Sequence, residues 1–314
     1  MPGVTTIPTT APSTGLLGVS VQNSAASTPG DAAPPLLALD PYTPENRTID
    51  VYIRGSGTVS FTITPSQPHV RVSPTQGTLS YPSGTSDIRA VLSVDWAAAP
   101  TGASTVDITI KPATGTAVTL SLPLNNVRVA ENYTGYVASN GVVAMEMSRF
   151  TSRTPGSGGA TVELIPNYGR TGEGLTLMPV TAGTQTVATA PKAVYSFYAL
   201  TAPSANAKLS VYLPPSFNVA PSTPLRLAVA LDNATPTTIT PVPSSTLGAM
   251  PGGWSESVVS GARVVSADLG KVGAGKHELS VWLLEPGTVV HRLVVDLGGV
   301  KSSHLGPWES GWVG

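Results

Sequence analysis

Cysteine is absent from the 314 residues, so neither a disulfide framework nor a thiolate metal site is available to this chain. Charge is scarce: Asp, Glu, Lys and Arg make up 11% of the residues, and the formal net charge is −1. No run of Lys or Arg occurs, which leaves no electrostatic field to draw in phosphate backbones or anionic lipid, and argues against nucleic acid or a membrane as partner. Apolar runs are short, none approaching the roughly 18 residues that span a bilayer as a helix. The N-terminus lacks a basic region followed by an apolar core of roughly 7–15 residues, so no signal peptide is read here. Aromatics amount to only 6%.

What the chain has is turn formers and alternation. It carries 32 Gly and 30 Pro with 41% apolar residues, enough to bury a core between many turns. Ile49, Val51 and Ile53 alternate, as do Val59, Phe61 and Ile63, then Val118, Leu120, Leu122 and Leu124. A period of two puts each set on one face of a sheet, and clusters such as Gly55-Ser56-Gly57 close the strands. A second set runs through Leu209/Val211/Leu213, Leu225/Leu227/Val229 and Leu279/Val281/Leu283. No helical period stands out. The reading is an all-β chain of two tandem β-sandwiches. Residues 1–34 read as a linker or the remnant of a preceding domain, 35–129 as an Ig-like sandwich, and 130–314 as a jelly-roll sandwich with long loops such as Ala234 to Trp254.

Catalytic signals fail one after another. Gly270 to Lys276 has the spacing of a phosphate loop, but His277 follows the lysine where Ser or Thr would hold magnesium, and the next residues alternate like a strand. A Gly-rich hairpin turn is the better reading. No Gly-x-Ser-x-Gly elbow is present, and His69, His277, His291 and His304 are dispersed without metal spacing. His277 reads as a hydrogen-bonded structural residue. No catalytic residue is assigned. The three sequons at Asn46, Asn132 and Asn233, with a Thr/Ser/Pro-rich surface, lean towards an extracellular protein.

Sugar rings pack their C–H faces on flat aromatics, so the placement of the few aromatic residues matters. Trp254 follows Pro251-Gly252-Gly253, Tyr168 lies in the turn Pro166-Asn167-Tyr168-Gly169-Arg170, and Trp308 and Trp312 lie near the C-terminus. Trp96 and Trp282 sit among strand residues and read as core. The candidate carbohydrate contacts are Trp254, Tyr168, Asn167, Arg170 and Trp308, the amide and guanidinium serving hydroxyls or a uronate carboxylate.

Leu17-Gly18-Val19-Ser20-Val21, Leu39-Asp40-Pro41-Tyr42, Ile49 through Gly55 and Val94-Asp95-Trp96 resemble the region that follows the catalytic core in xylan α-1,2-glucuronidases of glycoside hydrolase family 115. Tyr168 to Gly172, Ala190-Pro191, Leu231-Asp232, Trp254, Gly275 to Leu279, Glu285-Pro286-Gly287-Thr288-Val289-Val290 and Leu305 to Ser310 are similar to that family's C-terminal module, in the same order. The resemblance implies an Ig-like sandwich followed by a galactose-binding-like jelly roll, and it implies that the barrel holding the catalytic carboxylates would lie before Leu17. Its context is secreted hemicellulose breakdown, commonly by dimers. The partners it implies are glucuronoxylan or a related hemicellulose, a glucuronidase catalytic domain, and a second copy in a homodimer. No cofactor is implied. A structural calcium ion is the one candidate, and Met145-Glu146-Met147, standing where such sandwiches often show Glu-Ala-Glu, argues against it. The function read is thus that of a non-catalytic accessory region that binds glucuronoxylan or docks on the catalytic domain. The alternatives are a purely structural or dimerisation region, and a stand-alone glycoside hydrolase.

Overall fold

The computed structural model describes residues 16–168, 171–218, 220–303 and 306–314, and divides the chain into two compact units, Met1–Arg128 and Val129–Gly314. The first unit holds β1 (Leu17–Val21), β2 (Ser27–Thr28), β3 (Arg47–Ile53), β4 (Gly57–Pro65), β5 (Val70–Ser73), β6 (Gln76–Tyr81), β7 (Asp87–Val94), β8 (Gly102–Pro112) and β9 (Val118–Asn126). Among the described residues these form a five-stranded sheet, β2-β1-β3-β7-β5, and a four-stranded sheet, β6-β4-β8-β9. Every pairing in both sheets is antiparallel.

The alternation read from the sequence is the alternation of burial. Along β4, Val59, Phe61 and Ile63 point into the core while Thr58, Ser60, Thr62 and Thr64 face solvent. Along β9, Val118, Leu120, Leu122 and Leu124 point inward. Each such side chain contributes about 1.5–3 kcal/mol by leaving water. The stretch before residue 35, expected as a linker or remnant, behaves otherwise: β1 pairs along its whole length with β3, from Leu17↔Ile53 to Val21↔Ile49. Leu17, Val19 and Val21 share one face and are buried in the same cluster as Ile49 and Val51, which is why this short apolar island is a strand.

The second unit holds β10 (Gly135–Val137), β11 (Val142–Met145), β12 (Ser152–Thr154), β13 (Thr161–Ile165), β14 (Gly174–Met178), β15 (Lys192–Ala199), β16 (Ala207–Leu213), β17 (Leu225–Leu231), β18 (Thr237–Val242), α1 (Trp254–Ser260), β19 (Arg263–Gly270), β20 (Gly275–Leu283), β21 (Val289–Val290), β22 (Arg292–Asp296) and β23 (Trp312–Val313). One sheet runs β18-β17-β20-β15-β10-β23 with β12 also on β15; a facing sheet runs β11-β22-β16-β19; β13-β14-β21 forms a third. Tyr195 and Phe197 of β15, Leu209 and Val211 of β16, and Leu279 and Val281 of β20 fill the core between them. Both units are β-sandwiches, and the chain is all-β apart from short helical turns.

Three local expectations change. The Ala234–Trp254 loop contains β18, whose Ile239 is buried against Leu227. The Gly270–Gly275 turn is not a hairpin: β19 pairs with β16 and β20 with β15 and β17, so the glycines carry the chain from one sheet to another. Helix α1 was missed because it is only seven residues long, framed by Gly253 (φ 75°) and Gly261 (φ 65°), both left-handed. Two turns of helix leave no measurable period in the sequence. His277 has an acceptor at each ring nitrogen, Asp232 Oδ2 at 2.8 Å and the Gly273 carbonyl at 3.0 Å, and stacks on Phe197 with ring centres 5.3 Å apart.

Candidate functional site

At one rim of the second unit, two polar segments close over an ion pair. Strand β11 delivers Glu146 one residue past its end, and antiparallel β22 begins with Arg292, with Met145 opposite Leu293. Arg292 Nη2 donates to Glu146 Oε1 across 2.7 Å, and both residues are over nine-tenths buried. A buried pair of this kind is held because losing either partner strands a charge. Thr171 donates its hydroxyl to the same Oε1 at 2.8 Å, which draws in the β13–β14 loop. Gly172 permits the approach: a Cβ there would stand 2.7 Å from Glu146 Oε2.

The C-terminal segment closes the other side. The Glu146 amide donates to the Tyr136 hydroxyl at 2.9 Å, and that hydroxyl donates to Glu309 Oε1 at 3.0 Å. Burial, with the nearby Glu309 charge, holds the Tyr136 phenol far above its usual range, so it stays a proton donor. Arg149 pairs with Glu309 at 3.3 Å and lies over the Trp312 ring at 5.6 Å, while Trp312 meets Tyr136 edge-on at 4.9 Å. Gly306, at φ 76°, lets the chain pass close to Tyr212 and Arg292, since a Cβ there would lie 3.3 Å from the Tyr212 hydroxyl and 3.8 Å from Arg292 Nη1.

Two exposed aromatics ride on these anchored segments. Tyr168 is 40% exposed, beside Gly174 and three residues before Thr171. Trp308 is 71% exposed, between Gly306 and Glu309. Asn167 is exposed in the turn with φ 55°, and Arg170 lies outside the described residues. Trp254 is not joined to this rim by any ring contact among the described residues. It is the first residue of α1, half-buried, and its indole packs on Phe217 with ring centres 3.9 Å apart, whereas the sequence places it as a free loop aromatic. Trp96 and Trp282 are partly buried against the core clusters.

The ion pairs were hidden from sequence reasoning. Glu146 and Arg292 are brought together by strand pairing, and so are Arg226 and Glu285; the only local trace is a charged residue beside a strand of otherwise apolar composition. At Glu146 one carboxylate oxygen is occupied, while the other, Oε2, is buried without a hydrogen-bond partner among the described residues. That carboxylate already has a guanidinium and a hydroxyl on Oε1, Met145 and Met147 are buried in the core, and no three His, Asp or Glu residues gather into a metal-holding group among the described residues. A hard cation wants roughly six to eight oxygens.

The family model for the glycosyl hydrolase family 115 C-terminal domain matches residues 135–309. No curated protein matches the chain. Among solved structures, it is similar to a family 115 4-O-methyl-alpha-glucuronidase described as specific for decorated arabinogalactans, with 17% identity and a TM-score of 0.34; the match covers 47% of this chain and 17% of that one. It is also similar to the C-terminal family 6 carbohydrate-binding module of a laminarinase from Zobellia galactanivorans (11% identity, TM-score 0.32, 49% and 98% covered). A family 35 carbohydrate-binding module from Clostridium thermocellum matches at 11% identity and TM-score 0.32, covering 49% of this chain and 97% of that one. The chain thus spans 17% of the length of the glucuronidase.

Proposed function

Because the chain belongs to the glycosyl hydrolase family 115 C-terminal domain family, we propose that it is the accessory region of an extracellular xylan-directed glucuronidase, and that its second unit holds glucuronoxylan without cleaving it. The observation that carries this reading is that Tyr168 and Trp308, both exposed, stand close in sequence to Thr171 and Glu309, which bond to the Glu146 carboxylate and to the Tyr136 hydroxyl that accepts from the Glu146 amide. An exposed Trp on a rigid support offers a pyranose its flat apolar face at little entropic cost. Half-exposed Arg149, paired with Glu309 next to Trp308, and exposed Asn167, next to Tyr168, supply donors for hydroxyls and for a uronate carboxylate. Affinity electrophoresis through glucuronoxylan tests the reading: the chain migrates more slowly than in a gel without polysaccharide, and unretarded migration overturns it.

A second reading, docking on the catalytic domain, is favoured by one specific feature. Around α1, Val259 is 87% exposed, Leu247 92% and Met250 64%. Exposed aliphatic side chains of this kind suit an apolar protein surface. Docking and sugar binding use different faces by this account, so a charged residue at Val259 weakens association with a separately produced catalytic domain and leaves polysaccharide retention unchanged.

A further inference from the structure

The family-like run Glu285-Pro286-Gly287 takes no part in the rim described above. It forms one wall of a cleft of about 540 Å³, between the β14–β15, β16–β17 and β20–β21 loops. Val180, Leu225 and Pro286 make the cleft mainly apolar, and Thr184 and Thr223 contribute hydroxyls. Few polar groups set in an apolar concavity of this volume are the usual composition of a small-molecule site.

Beneath it lies an ion pair with a definite geometric effect. Glu285 is 1% exposed. Arg226 donates to its Oε1 from Nε at 3.0 Å and also from Nη2, and Thr184 donates to Oε2 at 2.8 Å. Arg226 stands where the register of β17 shifts between Leu225 and Leu227, and such a bulge re-aims a side chain out of the ladder's alternation. A buried pair seldom adds stability over apolar residues of the same volume. Here it fixes the hydroxyl proton of Thr184, which points down at Glu285 and leaves the oxygen's lone pairs as acceptors. With Arg226 neutralising the carboxylate, the floor carries no net charge to draw in an ion.

We propose that this cleft binds a neutral sugar unit of a polysaccharide backbone, with its C–H face on Val180, Leu225 and Pro286 and a hydroxyl donating to Thr184; Glu285 and Arg226 are positioning residues. The proposal rests on the polysaccharide-binding reading for its ligand class, but it concerns a separate site for an uncharged sugar, distinct from a rim that accepts a uronate.

The test is titration of the full chain with neutral xylotetraose and cellotetraose, followed by calorimetry and saturation-transfer NMR. Gly183 lines the cleft, and a Cβ added there meets no atom within 4 Å, so Gly183→Trp fills the cleft without backbone strain. At least one tetrasaccharide binds the parent chain. Gly183→Trp weakens that binding by about tenfold or more at an unchanged melting temperature, Thr184→Val weakens it as well, and Tyr168→Ala does not. No binding of either tetrasaccharide, or binding that Gly183→Trp leaves intact, overturns the proposal. If glucuronoxylan is retained while both tetrasaccharides are ignored, the cleft proposal alone falls. If a tetrasaccharide binds in the cleft while glucuronoxylan is not retained, the cleft stands and the rim reading falls.

Discussion

The two units spend their few charges differently. In the first, the buried cation Arg47 serves the backbone: its guanidinium donates to the carbonyls of Leu37 at 3.0 Å and Ala38 at 2.7 Å, and burial lowers its pKa from the ordinary arginine value. Buried Asn126 likewise donates to backbone, to the Trp96 and Ala99 carbonyls, while on the outer face the Ser60 and Thr78 hydroxyls meet at 2.8 Å across β4 and β6. In the second unit, buried charges pair with each other, Glu146 with Arg292 and Glu285 with Arg226, and each pair lies where loops leave the sheets. The first arrangement pins one chain segment onto a sandwich. The second holds loops in fixed positions around a rim and a cleft. On the function proposed above, the second unit does the binding and the first serves as its scaffold.

The sharpest way to break that contrast is to strand a charge. Arg292→Met leaves Glu146 buried without its cation and costs the second unit about 3–5 kcal/mol. Calorimetric melting then shows the second unit's transition lowered and the first unit's unmoved; a single shifted transition for the whole chain would mean that the units do not fold separately. Truncating the cores treats both units alike: Leu120→Ala in the first and Val229→Ala in the second, 1% and 2% exposed, each lose about 2–3 kcal/mol in denaturant unfolding. If either variant unfolds at the parent's midpoint, its residue does not face the core. At the small end, Thr101→Ala, exposed in the turn before β8, stays within about 0.5 kcal/mol of the parent by the same measurement.

The same contrast decides what could be read in the sequence. The strands of the first unit were legible because each has one dry face, so Val59, Phe61 and Ile63 alternate with threonine and serine. In the second unit β17 is buried almost throughout, with Leu227 and Val229 in the main core and Ala228 in a smaller cluster on the other face, and a strand dry on both sides has little alternation left to read. Tyr168 and Trp308 were legible as aromatics in turn-rich segments. What supports them was not, because Glu146 meets Thr171 and Arg292 only after β11 and β22 have paired. Trp254 differs in placement for a related reason: its glycine-flanked context reads as a loop, whereas it begins α1, and the Phe217 that covers one face of its indole comes from a distant segment.

The central claim is that the rim aromatics of the second unit bind polysaccharide, and calorimetric titration of glucuronoxylan into the parent chain, Tyr168→Ala and Trp308→Ala tests it most directly. Each replacement removes about 1–3 kcal/mol of binding, in line with other aromatic anchors, while the melting temperature stays at the parent's value. Binding that survives the loss of both rings at full strength would contradict the account and move the sugar contact away from the rim.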